Sequence, residues 1–254
     1  MTKKRTPAAG RFLQAIIITI FLASALISIV QALPSGPTFE FISESESPVQ
    51  SSTQDTNSSH SGGKIIVANL NVTQQDSHWK AYVGNVSGRL VLENANNYSI
   101  FEWTITEVTG EVYATRGNSV NWTTVECANI THVDAEELAM NHTASYTPDD
   151  NITNTFSTAN NHSSFFAGAS TITQNSCNFT TQTFVNGSQQ VGSTYFKEIL
   201  LYDGTSIVYS TLMESDRYGY DTGSTYDYQI LVAERGDPEF SGQSTNYYFY
   251  VELL

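Results

Sequence analysis

Basic residues are scarce, and their placement is as informative as their number. Of the eleven Lys and Arg in 254 residues, Lys3, Lys4, Arg5 and Arg11 stand at the very start, and no charge of either sign lies between Phe12 and Phe39. The rest of the chain sets seven basic against twenty-five acidic residues, a net of 18 negative charges. A surface of that sign repels phosphate backbones, which excludes nucleic-acid partners. It also disfavours adsorption to anionic lipid and keeps a crowded or glycosylated protein in solution. Cysteine is nearly absent too. Cys127 and Cys177 are too far apart for a CxxC-type redox or metal motif. In an oxidising compartment one intramolecular disulfide is favoured over two buried thiols.

Catalytic signatures are missing as well. Neither Gly-x-Ser-x-Gly nor His-Glu-x-x-His occurs, and no cysteine sits in a recognisable nucleophile motif. A glycoside-hydrolase pair would have to come from Glu102, Glu107, Glu111, Glu198 or Glu214, and sequence spacing does not set two of these across a cleft. The expectation is a protein that is not an enzyme.

What is present begins with "FLQAIIITIFLASALISIVQAL", residues 12–33, an apolar run long enough to cross a bilayer behind a basic end. Residues 1–11 read as a cytoplasmic n-region and 12–33 as a signal peptide or a transmembrane anchor. Val30-Gln31-Ala32 offers small residues for cleavage, the length favours retention, and both readings stand. A pilin-like leader cut after Gly10 is a third. In each, the sequence after Pro34 is exported.

Residues 34–63 are rich in Ser, Thr, Pro and Gly and hold too little apolar surface to offset ordering, so they read as a linker. Residues 64–254 read as one exported β-rich domain. Strands are expected in "KIIVANLNV", "WKAYVGNVSGRLVL", "SIFEWTITEV", "GEVYATR", "VNWTTV", "TTQTFV", "YFKEILLY", "TSIVYSTL", "YDYQILVA" and "NYYFYVEL". Asp203-Gly204 predicts a two-residue hairpin, and Thr109-Gly110 a second between "WTITEV" and "EVYATR". Only "VDAEELAM" reads as helix, with Asp134 as N-cap and Glu137 as its capping partner. The fold class is therefore all-β: an antiparallel β-sandwich or two packed sheets with one short helix, preceded by the membrane-entering helix.

Asn-x-Ser/Thr occurs at Asn57, Asn71, Asn85, Asn97, Asn121, Asn129, Asn141, Asn151, Asn161, Asn178 and Asn186. Composition alone gives roughly four or five such sequons, so an exported, glycan-bearing surface is expected. The stretch 140–165 adds His142, Asp149, Asp150 and His162. Both histidines occupy the middle position of a sequon and lack metal-pair spacing, as does His132 just after another, so they read as surface-loop histidines. Asp216, Asp221 and Asp227, set among glycines and tyrosines, are candidate calcium ligands, although a solvated acidic turn fits them better. No other cofactor is implied.

"HWKAYVGNVSGRLVL" with "FEW", and the block running from "YFKEILLYDGTSIVYSTL" through "YDYQILVAERG" to "YYFYVEL", resemble uncharacterised β-rich cell-envelope proteins of archaea. The resemblance implies a surface location and carries no catalytic residues. The functional expectation is a non-enzymatic cell-surface glycoprotein, an envelope, filament or adhesion component. The alternatives are a carbohydrate-binding module using exposed Tyr and Trp, and a secreted hydrolase. Partners are then the membrane, if the helix is retained, and further copies or surface glycans. All eleven sequons fall at or before Asn186, so a self-association face is expected in the C-terminal third, unless those strands are simply core.

Overall fold

The computed structural model describes residues 33–45, 76–105, 107–143, 149–158, 161–188, 195–235 and 244–254. The membrane-entering run, apart from Leu33, lies outside the described residues, as do the linker beyond position 45, the strand expected at 64–72, and Asn57 and Asn71. Among the described residues no helix is long and apolar enough to cross a membrane.

The elements in chain order are β1 (Trp79–Gly84), β2 (Leu90–Glu93), β3 (Ser99–Trp103), β4 (Gly110–Thr115) and β5 (Glu126–Cys127). Helices α1 (Ile130–Met140) and α2 (Ile152–Thr155) follow, then β6 (Phe165–Ala167), β7 (Ser170–Ile172), β8 (Thr180–Gln182), β9 (Lys197–Tyr202) and β10 (Ile207–Leu212). Last come β11 (Arg217–Tyr218), β12 (Thr225–Tyr226), β13 (Tyr228–Ala233) and β14 (Tyr248–Leu253). Every pairing between these strands is antiparallel. The fold is all-β and sandwich-like, as the strand periodicity predicts.

A six-stranded sheet in the order β14-β4-β10-β9-β5, with β8 also on β9, forms the centre. Side chains alternate across it with period two. Ala114, Leu200, Ile207 and Tyr209 face one apolar cluster, which is closed by Val133 and Met140 of α1, Ile152 of α2, and Ile230 and Val232 of β13. Tyr113, Ile199, Leu201 and Val208 face the other, closed by Trp122, Phe165, Ala167, Ile172 and Cys177. Cover on both faces explains why "KEILLY" and "IVYSTL" are buried almost throughout rather than at every second residue. It also accounts for the missing sequons after Asn186: β9, β10 and most of β13 are core, so the self-association face expected there loses its ground on these strands.

Several local expectations change. "WKAYVGNVSGRLVL" breaks at 85–89 into β1 and β2, which pair with different partners, β13 and β3. "VNWTTV" forms a turn rather than a strand, with Thr124 N–H donating to the Asn121 carbonyl and Trp122 driven into the core. The β9–β10 hairpin forms, but its loop spans four residues. The Asp203 carboxylate accepts from the N–H groups of Thr205 and Ser206, both at 2.8 Å, and only Gly204 takes a positive φ, +94°. Thr109-Gly110 makes no hairpin, because β3 pairs with β2 while β4 pairs with β10 and β14. Gly110 is needed there for another reason: a Cβ would lie 2.0 Å from the Glu252 carbonyl oxygen, at φ +134°.

Helix α1 starts earlier than predicted. Asn129, not Asp134, is the N-cap: its side chain accepts from His132 N–H, and the His132 ring closes the capping box in place of Glu137. Arg116, at the end of β4, clamps α1 by donating from Nε and Nη2 to the buried Glu136 carboxylate at 2.8 and 2.6 Å. Short β5, β6, β7, β11 and β12 and the one-turn α2 carry too little pattern to be read in advance. The start of the expected linker is not free. Ser35 exchanges two backbone hydrogen bonds with Val251 on the outer edge of β14, and Phe39 stacks near Phe249 and Tyr82.

Candidate functional site

Two regions present chemistry that the core does not use. The first is the hairpin β2–β3. Its register sets Leu90 opposite Trp103 and Leu92 opposite Phe101, so these four side chains share one face, while Val91 and Glu102 share the other. The second face carries the Arg89–Glu102 ion pair at 3.2 Å. The first face is entirely apolar and open, with Leu90, Leu92, Phe101 and Trp103 exposed by 38, 56, 57 and 49%. Among the described residues the two strands pair only with each other, and the arm is rooted at Gly88, where a Cβ would meet Leu253 Cδ1 at 2.3 Å. Asn97, a sequon asparagine in the left-handed conformation, sits in the turn at the far end. Nothing in the alternation of "RLVLENANNYSIFEW" distinguishes this unburied face from a core face. That distinction needs the rest of the fold.

The second region gathers Asp76, His78 and Asp150. Asp76 Oδ1 accepts from His78 N–H at 2.7 Å, which folds the two residues over one another just before β1. Trp79 Nε1 donates to the Asp150 carbonyl at 2.7 Å and brings the loop ahead of α2 to the same place. His78 Nδ1 then lies 3.3 Å from Asp76 Oδ1 and 2.8 Å from Asp150 Oδ2. The three ligand-type atoms all fall within 4.8 Å of one another. Burial, and then the adjoining Asp150 carboxylate, push the Asp76 carboxyl above its ordinary value against the pull of the His78 N–H. Burial acts the same way on Asp150, but its hydrogen bonds to His78 and Asp76 prevail and hold it below its ordinary value.

His142 lies behind this cluster. The αL turn at Asn141 ends α1, and His142 N–H closes on the Glu137 carbonyl at 2.8 Å. The ring is wholly buried, bonded through Nε2 to the Glu234 carbonyl, with its centroid 6.1 Å from that of His78 and 5.4 Å from that of Trp79. Among the described residues its Nδ1 has no partner. Burial first, against the Glu234 bond, lowers its pKa, so the neutral ring is favoured.

Of the expected surface-loop histidines, His142 and His162 are thus interior groups. His162 is also buried, with Nδ1 on the Ser163 carbonyl at 2.7 Å and Nε2 accepting from Cys177 N–H at 3.1 Å, which rivets the loop carrying the disulfide. His132 stacks on Tyr202 at 3.7 Å. Of the stretch 140–165, only Asp150 joins the metal-type cluster. Asp149 is exposed, and Asp76 and His78 come from a region to which the sequence reading gave no role. An Asp-x-His next to Trp was the available signal, and its partner is 72 residues away.

The calcium candidates do not converge. Asp227 is buried and accepts from Val86 and Asp216 N–H groups at 2.8 and 3.1 Å, while Asp221 accepts from Gly223 N–H, Ser224 N–H and the Tyr226 hydroxyl. Asp216 is exposed, with a positive φ of 50°. The candidate hydrolytic carboxylates are also dispersed. Glu102 pairs with Arg89, Glu214 with Arg217, Glu107 is exposed, Glu198 is fully buried, and Glu111 lies across from Glu252 inside the sheet stack.

Cys127 and Cys177 form the expected disulfide, with Cα atoms 5.1 Å apart, tying β5 to the loop after β7. Among the sequon asparagines, Asn85, Asn97, Asn121, Asn129, Asn178 and Asn186 are exposed and Asn141, Asn151 and Asn161 half-buried. Several also serve the backbone. Asn129 and Asn151 cap helices, and Asn97, Asn141 and Asn186 take left-handed turns that favour asparagine. No known family, curated protein or solved structure matches this chain, so the functional argument rests on its own residues.

Proposed function

We propose that this chain is a non-enzymatic cell-surface glycoprotein, an envelope component that associates with further copies of itself through the apolar face of the β2–β3 hairpin. The observation that carries the reading is the face Leu90/Leu92/Phe101/Trp103, exposed on an arm that no other strand among the described residues flanks. An isolated two-stranded hairpin is marginal in water, and a contiguous apolar face on one marks a contact surface. Neither of its edges is paired among the described residues, and two copies meeting about a twofold axis satisfy one another without a second surface. The basic-then-apolar start, the acidic remainder, the exposed sequon asparagines and the disulfide support export. The archaeal envelope resemblance points the same way.

A carbohydrate-binding face is less well served here. Phe101 and Trp103 meet edge to face, with ring centroids 5.0 Å apart at 69°, rather than forming a flat platform, and their neighbours are Leu90 and Leu92 rather than polar groups. Light scattering on the full chain in detergent tests the proposal. Leu92→Glu with Phe101→Glu should reduce the assembled mass to that of the monomer while leaving Tm within about 1 °C, because both side chains are already exposed. Unchanged assembly ends the self-association reading. Loss of vesicle binding with assembly intact would assign the face to a membrane instead and equally overturn it.

A further inference from the structure

We propose that Asp76, His78 and Asp150 form a binding site for a divalent transition-metal ion of the zinc class. The inference is independent of the hairpin and of any assembly. His78 Nδ1, Asp76 Oδ1 and Asp150 Oδ2 offer one imidazole nitrogen and two carboxylate oxygens. The nitrogen–oxygen separations of 3.3 and 2.8 Å approach the edge of a tetrahedron whose centre lies about 2.0–2.1 Å from each corner. Imidazole selects zinc-class ions over calcium and magnesium, which take oxygen ligands. Three protein ligands, each partly exposed, leave a fourth position open to water.

Two further observations point to a cation. The first is the meeting of two carboxylates across one ring nitrogen, with the neighbouring Lys80 committed instead to Glu234. The second is His142, fully buried with its ring centroid 6.1 Å from that of His78 and, among the described residues, no partner on Nδ1. A polar ring atom left unbonded in the interior is costly, and a bound ion or ordered water nearby is one way such a region is satisfied. The support around the ligands is also that of a built site. Asp76 is aimed by the His78 N–H, Asp150 by the Trp79 indole, and α2 is capped by Asn151 immediately after Asp150. An ion here ties the start of β1 to the loop between α1 and α2.

Equilibrium dialysis of the full, chelator-stripped chain in detergent against Zn²⁺ should find one tight equivalent per chain, and Co²⁺ in its place should give the intense visible absorption of a tetrahedral centre. Zn²⁺ at a hundredfold excess over its Kd should raise Tm by about 5–10 °C. Both effects should vanish in His78→Ala and fall at least tenfold in affinity in Asp150→Asn, with far-UV circular dichroism unchanged, and persist in His132→Ala. Absence of stoichiometric zinc, retention of it in His78→Ala, or equal occupancy by Ca²⁺ overturns the proposal.

Discussion

Glu111 and Glu252 face one another in the β4–β14 register, both buried, with the Tyr113 hydroxyl and the Gly168 N–H donating to Glu252 at 3.1 and 3.0 Å. Among the described residues Glu111 Oε2 has no partner. Burial, then the Glu252 charge, pushes the Glu111 carboxyl up to about 8, and burial raises Glu252 in the same direction. A group whose pKa rises on folding is better protonated in the fold. Its stabilising effect is complete below the unfolded value of 4.5 and lost as pH climbs through about 8. Glu111 alone then costs about 1.4 kcal/mol of stability per pH unit inside that window. Glu214, raised to about 7 by burial, adds to the slope. Glu111→Gln stays neutral at every pH, so its Tm should lie nearest the parent around pH 4 and exceed it increasingly toward pH 8. Parallel Tm profiles across that range would mean that Glu111 is not held protonated.

At the scale of the element, sequon asparagines also serve the backbone, and the cap can be separated from the sequon. Asn129 caps α1 and also heads the sequon Asn129-Ile130-Thr131. Asn129→Ala removes the cap and should cost about 1 kcal/mol, a fall of about 2–4 °C in Tm, in unglycosylated protein. Thr131→Val abolishes the sequon but keeps the cap, and should leave Tm of the same material unchanged. Equal losses in the two variants would put the contribution in Thr131 and not in the cap. The hairpin β2–β3 illustrates the converse: its strands follow ordinary propensity, and its significance lies in what does not cover it.

For the molecule as a whole, the Cys127–Cys177 bond closes a span of 50 residues that contains both helices, β6 and β7. Such a loop constrains the unfolded chain by about 4 kcal/mol in the chain-entropy account. Replacing both cysteines by serine should lower Tm by about 8–16 °C, with reductant producing the same loss in the parent. A shift below about 2 °C would show that His162, β6 and β7 hold this loop in place without the bond.

Period-two alternation, β-branched and aromatic runs, and Asp-Gly punctuation were enough to determine the all-β class and the position of most long strands, because strand formation answers to local pattern. Elimination determined the disulfide, since the chain holds only two cysteines. Tertiary structure decided the rest. It split "WKAYVGNVSGRLVL" between two partners and placed "VNWTTV" in a turn, because pairing energy comes from a neighbouring strand that the local sequence does not name. It turned His142 and His162 from surface residues into interior ones, because burial depends on what folds over a loop. It brought Asp150 to Asp76 and His78, which the chain separates by more than seventy positions, and left one apolar face of a hairpin uncovered. The Asp76–His78–Asp150 cluster is a relation between distant segments, and the openness of the hairpin face depends on which segments reach it; a linear pattern encodes distance along the chain, not across the fold.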